Sequence, residues 1–457
     1  RICSSPLRNI LSLGYQMLGN IFPSKNDAPL PSAPLELARC YSKKGNRACG
    51  LVQLKHTVPG SILYKEYWYR SGINKTMTDH LTNIAKKAEH EVKLVSFEWN
   101  DKTDAARVIG EGLKLAEQNI PAGKKLAVKI IIDQVREQGN KVIKALLNSR
   151  KNWNLDPNKI DLDLAVHPHT ALGAIHTKYL VVDGKSVIIT GANVQDVHNF
   201  TPDIWHDTGY NIEGPIANSI QKDFEQAWEN DSKYLTCTEP ESSEQCTDGD
   251  PNLHPHAPVK ILATPFNDGF PIIALTKSAR ELFNKDIANP LDQGWLAAME
   301  NAQTYINIET PNINAAGFQD AVVAAVKRGI LVKIITGKGF NDASENLPTQ
   351  GGKNSEIVKK LQKQITKEAF DMRGKLQFRW YSKTGNYPVD GNKANASHTK
   401  YMSVDGKITI IGSGNMDTQT WKQSREFNFL LDEPSVTNTI ENAFFNSDWQ
   451  RAIQIPY

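Results

Sequence analysis

The sequence carries little net charge. Its 53 lysines and arginines stand against 50 aspartates and glutamates, which gives a formal charge of +3 at pH 7. A protein that binds nucleic acid through its charge usually has a pronounced basic surplus. The composition therefore argues against a nucleic-acid partner. Its 40% hydrophobic and 23% charged residues are those of an ordinary globular protein.

Cysteine is also scarce, with five residues in a chain of 457. Four of them form two equally spaced pairs, Cys40 with Cys49 and Cys237 with Cys246, and Cys3 is left over. Such pairs indicate disulfides that close small loops in an oxidising compartment. Four free thiols in a cytosolic protein are the alternative. We favour the disulfides and predict a secreted or exported protein.

The N-terminal apolar stretch, residues 6–22, is too short and too polar to span a bilayer. Its apolar residues lie close to helical spacing, so we predict an amphipathic helix within an N-terminal segment, residues 1–50. Two roles fit such a helix. It packs on the core, or it lies at a membrane surface beside an acylated or bridged Cys3 and anchors the protein there.

One stretch of reactive residues occurs twice. Four residues recur 222 positions later, namely His176, Lys178, Asp183 and Asn193 as His398, Lys400, Asp405 and Asn415. A single offset shared by four residues of this kind indicates an internal duplication. A duplicated but inactive scaffold is the alternative to a duplicated active site.

Each copy has the pattern of a β-hairpin, with two β-rich runs joined by an Asp-Gly pair that suits a type I′ turn. Counting back from the turn pairs Val182 with Lys185. This register puts His176 opposite Gly191 and His398 opposite Ser413. Histidine and lysine, two residues apart, then point to one face. Each hairpin thus brings an imidazole, a cation and an amide to one place, whereas the turn aspartates have a structural role.

These side chains suit the transfer of a phosphodiester. Lysine ammonium and asparagine amide groups hold the charge of the non-bridging oxygens. Histidine can be a neutral nucleophile in one copy and a protonated acid in the other. One histidine then attacks phosphorus and forms a phosphohistidine, while the other protonates the leaving oxygen and activates the incoming water or alcohol. Two lysines supply the positive charge, so we expect no cofactor and no metal.

The two motifs resemble those of the phospholipase D superfamily, in particular its bacterial-type members with two motifs in one chain. The second copy fits the duplicated His-x-Lys, Asp, Gly-Ser-x-Asn pattern in full, including Ser413. The first copy departs at Gly191, which lacks that hydroxyl. The resemblance implies that His176 is the nucleophile and His398 the general acid, although exchanged roles satisfy the sequence equally well.

The resemblance extends to the segments that follow each motif. It implies that Asp207 and Glu426 are acids that orient the two histidines, without saying which acid serves which histidine. It also implies that Lys178, Lys400, Asn193 and Asn415 hold the phosphate, and it puts Glu309 near the pocket as a substrate-binding residue together with Ser413.

The chain is predicted to be α/β, because helices alternate with apolar strands in both halves. One example is the strand at residues 125–133, followed by a helix at residues 134–148. We predict a first half at residues 51–235, a Pro/Ser/Asp-rich linker at 236–258 and a second half at 259–457. The halves would be similar α-β-α sandwiches with mostly parallel or mixed sheets. A pseudo-two-fold axis would relate them, with the active site between them.

Other residues invite functional interpretations. His167 and His169 suggest metal ligands, although pocket-lining polar residues are the simpler interpretation. Aromatic residues at positions 64, 67, 68 and 69 suggest a cage for a quaternary ammonium headgroup, although core packing explains such clusters more often.

We therefore predict hydrolysis of glycerophospholipids to phosphatidic acid and a free headgroup at a membrane surface, by a monomer that contains both motifs. Three alternatives remain open. The chain is a phosphatidyltransferase similar to cardiolipin synthases, a nuclease of the same superfamily, or a membrane-binding scaffold without enzymatic activity.

Overall fold

The computed structural model describes residues 7–17, 32–40, 52–54, 87–134, 139–168, 173–198, 204–230, 233–234, 270–279 and 289–457. The chain divides into two compact units, residues 1–70 and 71–457. Among the described residues, no helix combines the length and the apolar character needed to cross a membrane.

The described part of the N-terminal unit is a three-stranded antiparallel sheet. Its strands, in the order β1-β2-β3, are β1 (Leu7–Met17), β2 (Ser32–Cys40) and β3 (Val52–Leu54). The helix predicted in residues 6–22 is therefore wrong. The same residues also alternate with a period of two from Leu11 to Met17, and a short apolar run of this kind fits a strand as well as a helix. Hydrogen-bonded pairing with β2 favours the strand over the helix.

The disulfide prediction lies almost entirely outside the described residues. Of the five cysteines, only Cys40 falls in a described element, at the end of β2. The aromatic cluster at positions 64–69 and the proposed linker are likewise not described. These interpretations stay predictions.

The larger unit contains two mixed sheets flanked by helices. The first sheet has the order β10-β6-β5-β4-β7-β8-β9. Its strands are β4 (Glu91–Ser96), β5 (Leu126–Gln134), β6 (Ile160–Pro168), β7 (Tyr179–Val182), β8 (Ser186–Thr190), β9 (Gly209–Glu213) and β10 (Lys233–Tyr234). Its helices are α1 (Asp104–Asn119), α2 (Gly139–Trp153) and α3 (Ala217–Asn230).

The second sheet has the order β11-β17-β16-β15-β12-β13-β14-β18. Its strands are β11 (Ile272–Lys277), β12 (Tyr305–Thr310), β13 (Leu331–Thr336), β14 (Leu376–Trp380), β15 (Tyr401–Val404), β16 (Ile408–Gly412), β17 (Glu426–Asp432) and β18 (Ile453–Gln454). Its helices are α4 (Pro290–Glu300), α5 (Ala316–Lys327), α6 (Asp342–Glu345), α7 (Asn354–Glu368), α8 (Thr418–Lys422), α9 (Pro434–Ile440) and α10 (Asn446–Arg451).

The two sheets confirm the predicted fold of two similar halves. The order β6-β5-β4-β7-β8-β9 recurs as β14-β13-β12-β15-β16-β17. In each set the first three strands are parallel and the last three antiparallel. Each half has its own apolar core between sheet and helices, with Leu113 and Ile143 in the first core and Phe318 and Leu361 in the second.

Local signals set the helix boundaries. The hydroxyl of Thr103 accepts the amide of Ala106 at 3.2 Å and caps α1, and Asn289 caps α4 ahead of a proline in its first turn. Gln134, where α2 was predicted to begin, is instead the last residue of β5 alongside β6, and α2 is described from Gly139.

The first motif hairpin turns at the expected Asp-Gly pair. Asp183 and Gly184 have φ angles of 51° and 60°, as a type I′ turn requires, and the amide of Lys185 donates to the carbonyl oxygen of Val182 at 3.0 Å. Strand pairing resumes only at Val182 with Ser186. Lys185 therefore adds a residue to the return side of the hairpin.

The second hairpin has the same extra residue, since Val404 pairs with Ile408. The predicted pairing of His176 with Gly191 and of His398 with Ser413 is consequently wrong by one residue. Strands β7 and β15 begin only after the two histidines, which lie in the extended segments that lead into the strands.

Candidate active site

Each motif histidine is held by backbone from the opposite half. Residues 174–176 run parallel to Arg425, whose amide donates to the carbonyl oxygen of Ala174 at 2.7 Å and whose carbonyl oxygen accepts the amide of His176 at 3.0 Å. The same arrangement recurs around His206, which bonds to Ala396 at 2.7 Å and to His398 at 2.6 Å. These two short bridges bring the motifs together between the halves.

The orienting acids are crossed. Nδ1 of His176, in the first half, lies 2.8 Å from Oε1 of Glu426 in the second half. Nδ1 of His398, in the second half, lies 2.7 Å from Oδ2 of Asp207 in the first half. The structure thus answers the question that the sequence left open, because each histidine contacts the acid of the other half.

Glu426 is surrounded by donors. Ser413 Oγ donates to its Oε2 at 2.5 Å, and Thr420 Oγ1 donates to its Oε1 at 3.1 Å. Burial acts to raise the pKa of Glu426, but the interactions with His176, the charge of Lys178 and the hydrogen bond from Ser413 outweigh it and lower the pKa. An ionised Glu426 accepts the Nδ1 proton of His176, which leaves the Nε2 lone pair free for attack.

Asp207 has different surroundings, which explain the departure of the first motif. A Cβ atom on Gly191 would lie only 2.1 Å from Oδ1 of Asp207, so the carboxylate occupies the space where a side chain would be. Burial raises the pKa of Asp207, and the nearby Lys400 and His198 offset this only in part. The first half therefore combines a glycine with an acid that packs directly against it.

We expect Gly191→Ser, which restores the family pattern, to lower kcat by at least about tenfold. The new side chain displaces Asp207 and so misorients His398. Steady-state kinetics on a soluble phosphodiester measure the effect. Gly374→Ser is the matched control, because a Cβ at Gly374 meets nothing within 4 Å. An unimpaired Gly191→Ser enzyme would contradict the close packing of Asp207.

Both motif lysines are buried, and each donates to the backbone carbonyl of its own histidine, Lys178 to His176 and Lys400 to His398. Burial lowers the pKa of Lys178 to about 7 and that of Lys400 to about 8, with each carboxylate of the site opposing the shift. An anionic ligand between the halves would stabilise both ammonium groups.

The two imidazoles are neutral in the free site. Burial is the main cause that lowers the pKa of His176, and burial together with Lys400 and Lys178 lowers the pKa of His398 well below its usual value. His176 is the more accessible, with 15% of its side chain exposed against 8% for His398. A neutral, more exposed imidazole favours His176 as the attacking group.

The motif asparagines are buried and are oriented from within their own half. Nδ2 of Asn193 lies 3.2 Å from Oε1 of Gln195, and Nδ2 of Asn415 lies 3.0 Å from Oδ2 of Asp417. The same relation, two residues along the chain, occurs in both copies.

The motif aspartates bind backbone rather than the site. Oxygens of Asp183 accept the amides of Glu89, His90 and Glu91 at 2.8 to 2.9 Å. Asp405 accepts the amides of residues 303, 304 and 305 at 2.8 to 3.0 Å. Each aspartate therefore fastens its hairpin turn to the start of the neighbouring strand, which agrees with the structural role expected from the sequence.

We expect Asp405→Ala to lower the free energy of unfolding by about 1–3 kcal/mol and to leave kcat per folded molecule unchanged. Burial acts to raise the pKa of Asp405, but hydrogen bonds from Thr304 and the backbone lower it. The stabilisation is therefore present above the ordinary pKa of about 4 and is lost as pH falls through the folded value. Urea unfolding at two pH values measures it, with exposed Asp320→Ala as control. An equal loss in both variants would contradict the assignment.

Glu309, predicted to bind substrate near the pocket, lies beneath the surface next to the second motif. Its side chain is fully buried, and its Oε1 accepts a hydrogen bond from Ser397 at 2.8 Å. Burial, reinforced by Asp448, raises the pKa of Glu309 to about 8. Glu309 thus supports Ser397, the residue before His398, and its substrate-binding role stays a prediction.

An aromatic wall around His398 escaped the sequence analysis. Ring centroids of His198, Trp205 and Phe340 lie 5.2, 5.3 and 5.9 Å from that of His398. His198 lies 222 positions before Thr420, so the two residues are equivalent in the duplication but differ in type. On the other side, the ring of Phe97 lies 5.2 Å from that of His176 and beneath Lys178.

Two clusters among the described residues bring three metal-binding groups within 4.8 Å of one another. They are His198, Asp207 and His398, and His206, Glu309 and Asp448. In each cluster a histidine nitrogen and a carboxylate oxygen lie 2.7 Å apart, at hydrogen-bonding distance. His167 belongs to neither, and its Nε2 lies 3.2 Å from the carbonyl oxygen of Gly173, while His169 is not described.

Comparisons with known proteins identify sequences and structures that are similar to this chain. A family model described as "Cardiolipin synthase, PLD-like domain" matches residues 295–449, and one described as "Putative zinc binding domain" matches residues 1–64. The chain is 21% identical to a phospholipase D from Streptomyces antibioticus over 444 residues, which covers 84% of this chain and 78% of that protein.

Two further similarities concern phospholipid synthases. The chain is 21% identical over 281 residues to a protein from Bacillus subtilis named probable cardiolipin synthase, covering 61% of this chain and 46% of that protein, so it spans about half of that relative. The crystal structure of a phosphatidylserine synthase from Haemophilus influenzae superposes with a TM-score of 0.62 and 16% identity, covering 85% of this chain and 87% of the other.

Proposed function

The chain belongs to the phospholipase D superfamily, and we propose that within it the chain hydrolyses glycerophospholipids to phosphatidic acid and a free headgroup. The observation that carries this proposal is the crossed arrangement of two histidine and acid pairs, each beside a buried lysine. It is a complete set of groups for phosphodiester cleavage through a covalent histidine intermediate.

In the first step, Nε2 of His176 attacks phosphorus and the bond to the headgroup oxygen breaks. His398 gives its proton to that oxygen, and a phosphohistidine remains on His176. The free-site imidazole of His398 is neutral, but the negative charge of a bound phosphodiester raises its pKa and lets it take up the proton it must donate. Lys178 and Lys400 hold the non-bridging oxygens throughout.

In the second step, the now neutral His398 removes a proton from water, whose oxygen attacks phosphorus. The phosphorus–nitrogen bond breaks and His176 is released. An alcohol in place of water gives phosphatidyl transfer by the same route. The similarity to a protein named for cardiolipin synthesis supports transfer as the second candidate function.

The test is headgroup release from mixed phospholipid vesicles in the presence of a chelator. We expect release by the parent enzyme and by His90→Ala, a control on a half-exposed histidine, but not by His176→Ala or His398→Ala. Adding glycerol or phosphatidylglycerol separates transfer from hydrolysis by the lipid product formed. Cleavage of DNA without release of a headgroup from lipid would refute the proposed lipid substrate. Vesicle binding without turnover would support a membrane-binding scaffold without enzymatic activity.

The surroundings of the enzyme belong to the same proposal. Equal spacing in two cysteine pairs supports an exported protein. A substrate held in vesicles or membranes requires action at a membrane surface. Both motifs lie in one chain, which supports a monomer.

The lysines make the reaction depend on pH. Their pKa values of about 7 and about 8 in the free site mean that the charged forms are lost as pH rises. We expect kcat/KM to fall as pH rises through this range, and kcat to fall only at higher pH, because bound phosphate stabilises both ammonium groups. Profiles measured on a soluble diester test this. A flat kcat/KM up to pH 9 would contradict it.

A further inference from the structure

The residues directly before the two orienting acids occupy equivalent positions in the duplication. His206 precedes Asp207, and Arg425 precedes Glu426. Both are almost completely buried, and both form the short backbone bridges that hold the opposite motif. A buried histidine and a buried arginine at these positions require partners for their charges.

Arg425, in the second half, reaches into the first. Its Nη1 lies 2.6 Å from Oδ1 of Asp223, a buried residue of helix α3. The other oxygen of Asp223 accepts a hydrogen bond from the hydroxyl of Tyr179 at 3.1 Å. The ion pair therefore ties the backbone before Glu426 to the strand that follows His176 and Lys178.

His206, in the first half, makes the reciprocal contact. Its Nε2 lies 2.7 Å from Oδ2 of Asp448, a buried residue of helix α10 in the second half. Arg451 donates to the other oxygen of Asp448, and the ring of Tyr381 stacks on His206 with a centroid distance of 5.1 Å. This ion pair ties the backbone before Asp207 to the half that carries His398.

We propose that His206 and Arg425 are a reciprocal pair of positioning residues for the reaction, each acting through one buried ion pair with the opposite half, His206 with Asp448 and Arg425 with Asp223. The inference rests on the proposed two-histidine chemistry but not on a lipid substrate. Each ion pair fixes a backbone segment that does two things: it carries an orienting acid and it binds the histidine that this acid serves.

Each ion pair supports a different part of the reaction. Loss of the contact between His206 and Asp448 loosens Asp207 and hence His398, the group that protonates the leaving oxygen. Loss of the contact between Arg425 and Asp223 loosens Glu426 and hence His176, the attacking group. Residues that orient a reacting group in this way typically contribute about 10- to 100-fold to activity.

The two ion pairs also differ in how they titrate. Burial lowers the pKa of His206, but Asp448 outweighs it and raises the pKa to about 9, with Glu309 adding to the rise and Arg451 opposing it. Tyr381 and Glu309 are the other titratable groups that face the ring. Since the folded pKa is raised, the ion pair is intact below that pH and weakens above it, whereas arginine keeps its charge.

The experiment compares Asp448→Asn with Asp223→Asn on two soluble phosphodiesters, one with an alkoxide and one with a nitrophenolate leaving group. On the alkoxide substrate we expect kcat to fall about 10- to 100-fold in both variants, with KM within about twofold. A nitrophenolate needs no proton to leave. It therefore restores a fast burst of leaving-group release in Asp448→Asn, followed by slow turnover because His398 also activates the water, and restores no burst in Asp223→Asn.

A purely structural role predicts another pattern, in which both variants lose the same fraction with either leaving group or in which kcat per folded molecule is unchanged. Either result overturns the proposal. If an asparagine variant does not fold, Arg425→Lys and His206→Gln take its place with the same expected pattern. Because neither diester is a lipid, inactivity on vesicles refutes only the proposed substrate, whereas inactivity of the parent on both diesters refutes both proposals.

Discussion

A labelled phosphodiester with a nitrophenolate leaving group is expected to label the His398→Asn enzyme and not the His176→Ala enzyme. Such a leaving group departs without protonation, so His176 forms the phosphohistidine even when the acid is missing. Without the base at position 398 the intermediate hydrolyses slowly and accumulates. His176→Ala has no nucleophile, and we expect its turnover to fall by about 10⁴-fold or more.

Acid lability of the label and mass spectrometry of the labelled peptide identify the modified histidine. His90→Ala is the matched control and should behave as the parent, since its ring lies half-exposed outside the site. Label on His176→Ala would show that His398 attacks, and the two roles assigned here would have to be exchanged.

Replacing each orienting acid by its amide is expected to cost about 10² to 10⁴-fold in kcat. The amide keeps the shape of the side chain but cannot accept the Nδ1 proton and stabilise the imidazolium at once. Because each acid contacts the histidine of the other half, each substitution is expected to impair a particular histidine. Asp207→Asn impairs His398, 2.7 Å away, and Glu426→Gln impairs His176, 2.8 Å away.

Burst kinetics separate the two variants. With a nitrophenolate leaving group we expect Asp207→Asn to retain a fast burst followed by slow turnover, because attack by His176 is intact. Glu426→Gln should show no burst. The reverse result would mean that each acid serves the histidine of its own half, contrary to the geometry. Exposed Asp320→Ala again provides the control.

Much of the site follows from the sequence because its information is local or repeated. The 222-residue offset identifies the histidines, lysines and asparagines without any knowledge of the fold. The Asp-Gly turns are equally local, since their φ angles of 51° and 60° in the first hairpin depend on two adjacent residues. The strand Leu331–Thr336 follows from its β-branched residues, which lie between Gly329 and Gly337.

What could not be predicted depends on contacts distant in the chain. The register of each hairpin shifted because a single residue, Lys185 in the first copy, was added beyond the turn. No local pattern indicates that Glu426 lies against His176, 250 residues away. The helix expected in residues 6–22 failed because a short apolar run fits two periods, and pairing with β2 selects one.

The exchange of acids between the halves bears on how such a molecule arises. A single ancestral half would hold a histidine without its acid and an acid without its histidine. Two copies related by a two-fold axis complete both pairs at once, so a self-associating ancestor would be active before any fusion. Once the copies are joined in one chain, each can diverge separately. The difference between Gly191 in the first motif and Ser413 at the corresponding position of the second is an example. Loss of either half would then remove the acid that the histidine of the other half needs, and with it the activity.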